Sequence, residues 1–389
     1  MTTDAADATV LELPRLSRRR ALLGAAALLA PLAPFAGADA QKRGHVANAN
    51  PAPRGSGLIH IDGNENPYGP SPKARDAILA SISRSPRYAD SEVDALGGQL
   101  AAAHGVPTNQ VIIGTGSGEL LKISALMAAN PGPGGEIIAA VPTYEELPAF
   151  GARLGLTVKG IPVDANHRHD LARMSAAIGP QTRLVYVCNP NNPTGTVVPR
   201  AALESFIRSV PARVLVVVDE AYIHLVNDPN AGSVDSLVKE VPNLLVLRTF
   251  SKIHGLAGLR VGYALSHEKT AATVAAWGLS YPNITGIMAA TASLGDHEFL
   301  DKTRVALVSD RTRVHAAIDA RGLPRADSQG NFVFFDTGGP LKRFQERMLA
   351  KGIKVGRHFD GYDTWARVSI GLKHETDAFL AALPEALGA

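Results

Sequence analysis

Residues 248–260 read Arg-Thr-Phe-Ser-Lys-Ile-His-Gly-Leu-Ala-Gly-Leu-Arg and follow directly on the apolar run 244–247. This stretch places one amine, that of Lys252, next to a serine hydroxyl and eight residues before the guanidinium of Arg260. A lysine amine forms a Schiff base with an aldehyde, while hydroxyls and a guanidinium hold an anion. The segment therefore offers both groups that are needed to bind an aldehyde that carries a phosphate.

The run before this segment is one of several short apolar runs that alternate with helical patterns. Each is nearly continuous in its apolarity, which is typical of parallel strands buried by helices on both faces. The alternation predicts an α/β fold with a mostly parallel sheet between helices. The predicted strands are 111–113, 136–140, 184–188, 214–218 and 244–247.

The chain has 389 residues, of which 46% are hydrophobic and 19% charged, so it is long enough for more than one core. We predict an N-terminal arm at 41–72, a large cofactor-binding domain at 73–285 and a smaller α+β domain at 286–389. In the smaller domain a helical pattern at 301–320 is followed by strand patterns at 331–335, 353–355 and 366–370.

Residues 1–40 differ in kind from the rest. Ser17-Arg18-Arg19-Arg20 precedes an uncharged stretch at 21–38, and Ala38-Asp39-Ala40 offers a small-residue cleavage site. This order is typical of a secretory signal, and the paired arginines resemble a twin-arginine (Tat) signal. We expect a periplasmic or secreted protein with no stable membrane anchor. An uncleaved N-terminal anchor is the alternative.

Charge and cysteine content exclude several classes of function. The net charge of +3, from 39 basic and 36 acidic residues, argues against a nucleic-acid partner. Cys188 is the single cysteine, so the chain has no internal disulfide and no cysteine-based metal site is expected. The spacing of the histidines predicts no metal site either.

Polar residues follow the predicted strands at their carboxyl ends, where open α/β sheets bind ligands. A glycine-rich turn at 114–118 precedes a helical pattern, and such a turn presents free backbone N–H groups to a phosphate. Tyr144 stands after the second run and can stack on a planar ring. Both features also occur for purely structural reasons, so neither decides the function alone.

The next two strand ends carry groups suited to a pyridine ring. Asn192, in the turn-rich loop 189–195, can donate to a phenolate oxygen, and Tyr222 can join it. Asp219 ends its strand, and a buried carboxylate there needs a partner such as a protonated pyridine nitrogen. Glu220 is a competing candidate. Together with Lys252, these strand ends predict one site for pyridoxal phosphate (PLP).

With these residues, the chain resembles a fold-type I PLP enzyme of the class I/II aminotransferases and is most similar to the histidinol-phosphate aminotransferase family. The fold-type I PLP-transferases have a large α/β domain with a mostly parallel sheet and a smaller α+β C-terminal domain. The matching stretches are 64–72, 87–88, 142–144, 189–195, 219–222, 249–260, 328–332 and 367–371.

The resemblance implies roles for particular side chains around the cofactor. Lys252 would form the Schiff base and move the proton, Asp219 would face the pyridine nitrogen, and Tyr144 would stack on the ring. Asn192 and Tyr222 would contact the ring hydroxyl. The phosphate would be held by Ser117, Gly118, Thr249, Ser251 and Arg260.

The resemblance also implies contacts beyond the cofactor. Tyr88 resembles a tyrosine that reaches the phosphate of the neighbouring subunit, which implies a homodimer with shared active sites. Arg367 resembles the arginine that binds the substrate α-carboxylate, and Tyr68 and Arg357 are further candidates to face the substrate. The chain departs from the family's usual Gly-Ser-Asp-Glu turn, because Gly118 takes the place of the aspartate.

The predicted activity is a ping-pong transamination between an amino acid, or an amino-alcohol phosphate, and a 2-oxo acid. A decarboxylase, a β-lyase or a cyclising PLP enzyme on the same scaffold is the alternative, since the cofactor residues are common to all of them. A PLP-binding sensor without enzymatic activity is a third reading. The sequence does not name the amino donor or acceptor.

Overall fold

A seven-stranded β-sheet forms the centre of the fold in the computed structural model, which describes residues 57–388. Two small two-stranded sheets accompany it. The strands of the described part are β1 (Ile59–Ile61), β2 (Val111–Gly114), β3 (Glu136–Val141), β4 (Thr157–Pro162), β5 (Thr182–Cys188), β6 (Leu215–Asp219), β7 (Leu244–Thr249), β8 (Gly262–Ser266), β9 (Phe332–Asp336), β10 (Ile353–Val355) and β11 (Trp365–Ser369).

Helices surround the central sheet and fill the C-terminal part. They are α1 (Pro72–Ser81), α2 (Asp90–His104), α3 (Ser117–Ala129), α4 (Glu146–Arg153), α5 (Leu171–Ala176), α6 (Arg200–Ser209), α7 (Glu268–Ala276), α8 (Ile284–Leu294), α9 (His297–Asp319), α10 (Leu341–Ala350) and α11 (Lys373–Leu387). None of the helices between residues 57 and 388 is both long enough and apolar enough to cross a membrane.

The central sheet has the strand order β2-β8-β7-β6-β5-β3-β4. Strand β8 is antiparallel to both of its neighbours, and all other neighbouring strands pair in parallel. The five strands that were predicted for the large domain are all present in this sheet. Strands β4 and β8 were not predicted, and β8 lies between two strands that were.

Both faces of the sheet are buried, as the continuous apolar runs predicted. In β5, Leu184, Tyr186 and Cys188 belong to one apolar cluster, while Val185 and Val187 belong to another. Successive side chains of a strand point to opposite faces, so the two clusters lie on the two sides of the sheet. Cys188 is buried and free, as expected of a small core residue.

Local sequence marks several helix ends. Helix α1 begins after Ser71, whose hydroxyl accepts a hydrogen bond from the backbone N–H of Ala74 at 3.1 Å. Helix α8 begins after Asn283, whose side chain accepts from Gly286 N at 2.6 Å. Such caps satisfy N–H groups that have no partner within the helix. Helix α2 ends at Gly105, which has the left-handed conformation common at helix ends.

The C-terminal part contains a third large apolar cluster of side chains, separate from the two on the faces of the central sheet. Strands β9 and β11 pair antiparallel, and Phe332, Val368 and Phe379 are buried in this cluster. Strand β1 belongs to the predicted N-terminal arm, yet it pairs in parallel with β10. The start of the described chain therefore pairs with a strand of the C-terminal part. The domain boundary at 285–286 stays a prediction, and residues 1–56, including the predicted signal, lie outside the described residues.

Candidate active site

Lys252 lies in the loop that follows β7. Its Nζ donates a hydrogen bond to the backbone carbonyl of Asn64 at 3.0 Å and stands 5.1 Å from the centre of the Tyr222 ring. The same loop packs closely on the N-terminal segment at Gly255, where an added Cβ would lie 2.2 Å from the carbonyl oxygen of Gly69. Gly255 also has a φ of 69°, so both its conformation and its surroundings require glycine.

Asp219 ends β6 and is only 2% exposed. Its carboxyl oxygens accept hydrogen bonds from the Tyr186 hydroxyl at 3.3 Å and from the backbone N–H of Ala221 at 3.1 Å. Burial raises the pKa of Asp219 to about 6, although these donors and the charge of Lys252 act in the opposite direction. A buried carboxyl of this kind gains most from a cation placed against it.

The phosphate-binding residues of the prediction meet at the amino end of α3. Ser117 is the first residue of this helix, and Arg260 Nη1 stands 3.4 Å from the hydroxyl oxygen of Ser251. The Thr249 hydroxyl donates to the Ser251 hydroxyl at 2.9 Å. An added Cβ at Gly116 would lie 2.3 Å from Arg260 Nη2, so the guanidinium lies directly on the turn.

Tyr144 follows β3 and has 36% of its surface exposed. Its hydroxyl donates to Glu146 at 2.7 Å, and Glu146 forms an ion pair with Lys122 at 2.9 Å. Partial burial, together with the Glu146 carboxylate, raises the pKa of Tyr144. Glu146 also lies next to the departure at the phosphate turn, since an added Cβ at Gly118 would make a close contact of 3.3 Å with its carboxylate.

Arg367, on β11, lies next to Asn192. One guanidinium nitrogen donates to the Asn192 side-chain oxygen at 2.8 Å, and the other donates to the Asp62 carbonyl at 3.0 Å. Its Nε is buried without a partner among the described residues. Burial lowers the pKa of Arg367 to about 10. A guanidinium with an unused donor in a buried position is suited to bind a carboxylate.

Tyr222 completes this group from the carboxyl side of β6. It is 4% exposed, and its hydroxyl accepts a hydrogen bond from the Asn64 carboxamide at 3.2 Å. The structure thus brings together the residues that the sequence predicted around the ring, and Asn64 connects two of them. Asn64 was quoted in a matching stretch but was given no role.

Three predicted residues lie at the margin of this group. Arg357 is paired with Glu145 at 3.0 Å and lies over the Phe359 ring at 4.3 Å. Tyr68 is partly buried, and this burial raises its pKa. Tyr88 is 78% exposed on the surface. Their predicted roles toward substrate or a second subunit are taken up below as proposals.

The sequence analysis gave no role to Glu119, a carboxylate that is hydrogen-bonded to the phosphate turn. Glu119 accepts hydrogen bonds from the backbone N–H groups of Thr115 at 2.6 Å and of Leu279 at 3.0 Å. These hydrogen bonds lower the pKa of Glu119 against the effect of burial. Its place in the first turn of α3 was the available signal, since carboxylates are favourable at helix amino ends.

The chain belongs to the aminotransferase class I and II family, whose family model matches residues 56–383. It is 39% identical over 334 residues to the histidinol-phosphate aminotransferase of Moorella thermoacetica, covering 85% of this chain and 86% of that protein. It is 40% identical over 324 residues to the aromatic amino acid aminotransferase of Streptomyces avermitilis, covering 82% and 88%.

A solved structure gives the same result for the fold. The histidinol-phosphate aminotransferase of Sinorhizobium meliloti, crystallised in complex with pyridoxal-5'-phosphate, matches with a TM-score of 0.78 and 29% identity, covering 85% of this chain and 90% of that chain. The predicted fold-type I architecture and the predicted aminotransferase activity are confirmed. The roles of individual residues stay predictions.

Proposed function

We propose that this aminotransferase binds PLP among Lys252, Asp219 and the amino end of α3, and that it moves an amino group between an amino acid and a 2-oxo acid. The observation that carries the proposal is the arrangement of these groups after the carboxyl ends of β2, β6 and β7. The PLP complex of the Sinorhizobium meliloti relative supports the same cofactor.

The residues present fit the chemical groups of PLP. The turn before α3 offers backbone N–H groups to a phosphate, and the segment after β7 adds the hydroxyls of Thr249 and Ser251 and the Arg260 guanidinium. A Cβ at Gly116 would collide with that guanidinium. Asp219 offers a buried carboxylate to a protonated ring nitrogen. Tyr222 offers a hydroxyl whose oxygen already accepts a bond from Asn64, so that its own proton is available to a ring oxygen.

When bound, PLP supplies an electrophilic carbon and an electron-withdrawing ring. Asp219 would hold a protonated ring nitrogen, because a carboxylate in a buried position favours a cation beside it. Lys252 would take the proton from the substrate Cα at its Nζ and hold it there for return. Arg367 orients the substrate by binding its α-carboxylate, with Asn192 holding the guanidinium in place.

The names of two relatives support two kinds of substrate, histidinol phosphate and aromatic amino acids. In both kinds, the carbon that carries the amine also carries a side chain with an aromatic ring and an anionic arm, a phosphate ester or a carboxylate. Tyr68 and Arg357 are proposed to face the substrate side chain. The support for Arg357 is its position over the Phe359 ring. The centre of the same ring lies 5.1 Å from the guanidinium of Arg367, the residue proposed to bind the substrate carboxylate.

The proposal is tested by trapping the cofactor on the protein. Borohydride reduction followed by digestion and mass spectrometry should show a pyridoxyl group on the peptide with Lys252. Lys252→Ala should remove this adduct, the visible absorbance and the turnover, whereas Lys269→Ala, on the surface helix α7, should retain all three. An unmodified Lys252 peptide in the reduced wild-type protein would refute the proposed site.

The reaction type is tested by mixing the purified enzyme with single amino acids. Transamination predicts loss of the visible band and release of a 2-oxo acid in an amount equal to the enzyme sites, followed by recovery of the band when a second 2-oxo acid is added. Release of carbon dioxide, or of ammonia with pyruvate, would contradict transamination and support one of the alternative PLP reactions.

We propose further that the protein is exported by the twin-arginine route, which carries folded proteins. The support is the sequence of residues 1–40 alone. Replacing Arg18, Arg19 and Arg20 together by lysine keeps the positive charge and should leave the protein in the cytoplasm. Unchanged export of this variant would contradict the twin-arginine assignment.

A further inference from the structure

Residues 62–66 cross between two groups of active-site residues. On the C-terminal side, the carbonyl of Asp62 accepts a hydrogen bond from Arg367 Nη2 at 3.0 Å. On the side of the Lys252 loop, the carboxamide of Asn66 donates to the carbonyl of Ile253 at 2.8 Å. This short segment therefore contacts both the residue proposed to bind substrate and the loop that carries the reactive amine.

Asn64 lies at the middle of this segment and is 1% exposed. Its backbone N–H donates to the Ser369 hydroxyl at 2.8 Å, and that hydroxyl donates back to the Asn64 side-chain oxygen at 3.0 Å. Its carboxamide nitrogen donates to the Tyr222 hydroxyl at 3.2 Å, and its carbonyl accepts from Lys252 Nζ at 3.0 Å. The hydrogen bonds with Ser369 fix the orientation of the carboxamide, so its nitrogen faces Tyr222.

The backbone of Asn64 is in the left-handed region, with a φ of 52°. Most residues with a Cβ avoid this region, whereas asparagine tolerates it better. In this conformation the carbonyl meets Lys252 while the N–H meets Ser369. The left-handed backbone directs the N–H and the carbonyl to these two partners, while the side-chain oxygen and nitrogen bond to Ser369 and Tyr222.

We propose that Asn64 is a positioning residue for the transamination, holding the Lys252 amine with its carbonyl and directing the Tyr222 proton with its carboxamide. A tyrosine hydroxyl has one proton. Because Asn64 donates to the Tyr222 oxygen, the Tyr222 proton is left to donate to the ring oxygen of the cofactor. A hydroxyl that accepts a bond also becomes a stronger donor. This inference rests on the proposed PLP site.

Two variants separate the side chain from the backbone of Asn64. Asn64→Gly keeps the left-handed conformation and the carbonyl but removes the carboxamide. Asn64→Asp keeps the shape but replaces the donor to Tyr222 by an acceptor. The measurement is the pH midpoint of the visible absorbance of the bound cofactor, which reports the proton between the ring oxygen and the nitrogen of Lys252.

We expect the midpoint to rise in both variants. A ring oxygen that receives a weaker hydrogen bond from Tyr222 is more basic, so the shared proton is held to a higher pH. For Asn64→Gly the shift should be about half a unit to one unit, the equivalent of one hydrogen bond. For Asn64→Asp it should be larger, because the new carboxylate accepts the Tyr222 proton and its negative charge favours the protonated form.

The control is Asn66→Ala, which removes two hydrogen bonds of the same segment, one to the Ile253 carbonyl and one from the Tyr68 backbone N–H, without a direct contact to Tyr222 or the Lys252 amine. It should lower the thermal unfolding temperature and leave the midpoint unchanged. In a Tyr222→Phe background, Asn64→Gly should no longer move the midpoint, because the group through which the carboxamide acts is gone.

Wild-type midpoints in both Asn64 variants, with only a lower unfolding temperature, would show a purely structural role and overturn the inference. A shift by Asn64→Gly of equal size in the Tyr222→Phe background would overturn it as well. Absence of the visible band from the wild-type protein is a different failure, since it would remove the proposed PLP site itself.

Discussion

Asp219 is a buried carboxyl that the chain accommodates at a cost to its stability. Its hydrogen-bond partners are the Tyr186 hydroxyl and one backbone N–H, and no cationic side chain is among them. Burial therefore raises its pKa to about 6. An acid whose pKa is raised on folding destabilises the folded protein when it ionises, so the free energy of unfolding falls as the pH rises from about 4 to about 6.

Replacing this carboxyl tests the argument directly. In protein freed of cofactor, Asp219→Asn should raise the free energy of unfolding by up to about 3 kcal/mol at pH 7, and the gain should disappear below about pH 4. The Tyr186 hydroxyl can rotate to accept from the new amide. Denaturant unfolding at several pH values measures this. The same variant should lose turnover, and a loss of stability at pH 7 would contradict the assigned cause.

Arg367 is the second residue at which the type of side chain can be tested, because its function depends on the planar guanidinium. Its two guanidinium nitrogens are fixed by Asn192 and Asp62, and lysine cannot reproduce this fork. Arg367→Lys should raise the KM for the amino acid by about 10- to 100-fold, the equivalent of one charged hydrogen bond, with a smaller change in kcat. Arg321→Lys, on the surface, is the matched control. An unchanged KM would remove Arg367 from the substrate site.

These residues differ in how far sequence could predict them. Lys252 and Asp219 were predictable because each stands at the end of a recognisable strand, and strand ends meet at one edge of a sheet. Asn64 could not be given its role in this way. Its contact with Ser369 joins positions 305 apart in the chain, and its contact with Lys252 joins positions 188 apart. Such contacts depend on how the N-terminal segment crosses the site.

At the scale of elements, the strand patterns identified the buried parallel strands at the centre of the sheet. Strands β5, β6 and β7 are buried on both faces, and their apolar runs mark them clearly. Strand β4 is an edge strand with partly exposed residues, so its sequence Thr-Val-Lys-Gly-Ile-Pro carries no continuous apolar run. Strand β8 was missed although its five residues are buried; it pairs antiparallel with β7, which is close to it in sequence, and with β2, which is distant.

A buried ion pair joins the ends of two neighbouring strands of the sheet. Arg248, on β7, donates to Glu220, which directly follows β6, at 2.8 Å, and their side chains are 7% and 1% exposed. Glu220 also accepts from the Ser233 hydroxyl and from the backbone N–H of Val234. Glu220 was the competing candidate for the pyridine nitrogen, and these partners occupy its carboxylate.

Removing one partner of this ion pair should strongly lower the stability of the folded protein. Arg248→Met leaves a buried carboxylate without its cation and should lower the free energy of unfolding by about 3–5 kcal/mol. Adding Glu220→Gln to this variant should recover part of the loss, since a neutral amide costs less to bury than an uncompensated charge. Urea unfolding of the two single variants and the double variant measures the coupling. Additive losses would contradict the pairing argument.

At the scale of the whole molecule, exposed apolar side chains are concentrated in two stretches. Five of the ten exposed large hydrophobic residues between 57 and 388 are Leu79, Ile82, Tyr88, Leu279 and Tyr281. The rings of Tyr88 and Tyr281 contact each other with centroids 5.5 Å apart, which brings the two stretches together. Exposed apolar surface of this kind marks a protein interface, and we propose that a second copy of the chain covers it.

The homodimer proposal predicts the mass in solution. Sedimentation should give twice the mass of one chain, and a double variant with Leu79→Asp and Ile82→Asp should dissociate the dimer, because burying two carboxylates in an interface is costly. Val305→Asp, at an exposed apolar residue outside the two stretches, is the control and should remain dimeric. A wild-type protein that sediments as a monomer would contradict the proposal.

Shared active sites make a sharper prediction than mass alone. If Tyr88 serves the neighbouring subunit, Lys252→Ala and Tyr88→Ala damage different chains of the same site. A dimer formed from one chain of each variant then has one site with both residues intact, since the intact Lys252 comes from one chain and the intact Tyr88 from the other. Unfolding and refolding an equal mixture should restore turnover at about one site in four, because half of the dimers are mixed. Each variant refolded alone should stay impaired. If Tyr88 acts within its own chain, no mixed dimer has an intact site, and the mixture should show no gain over the separate variants.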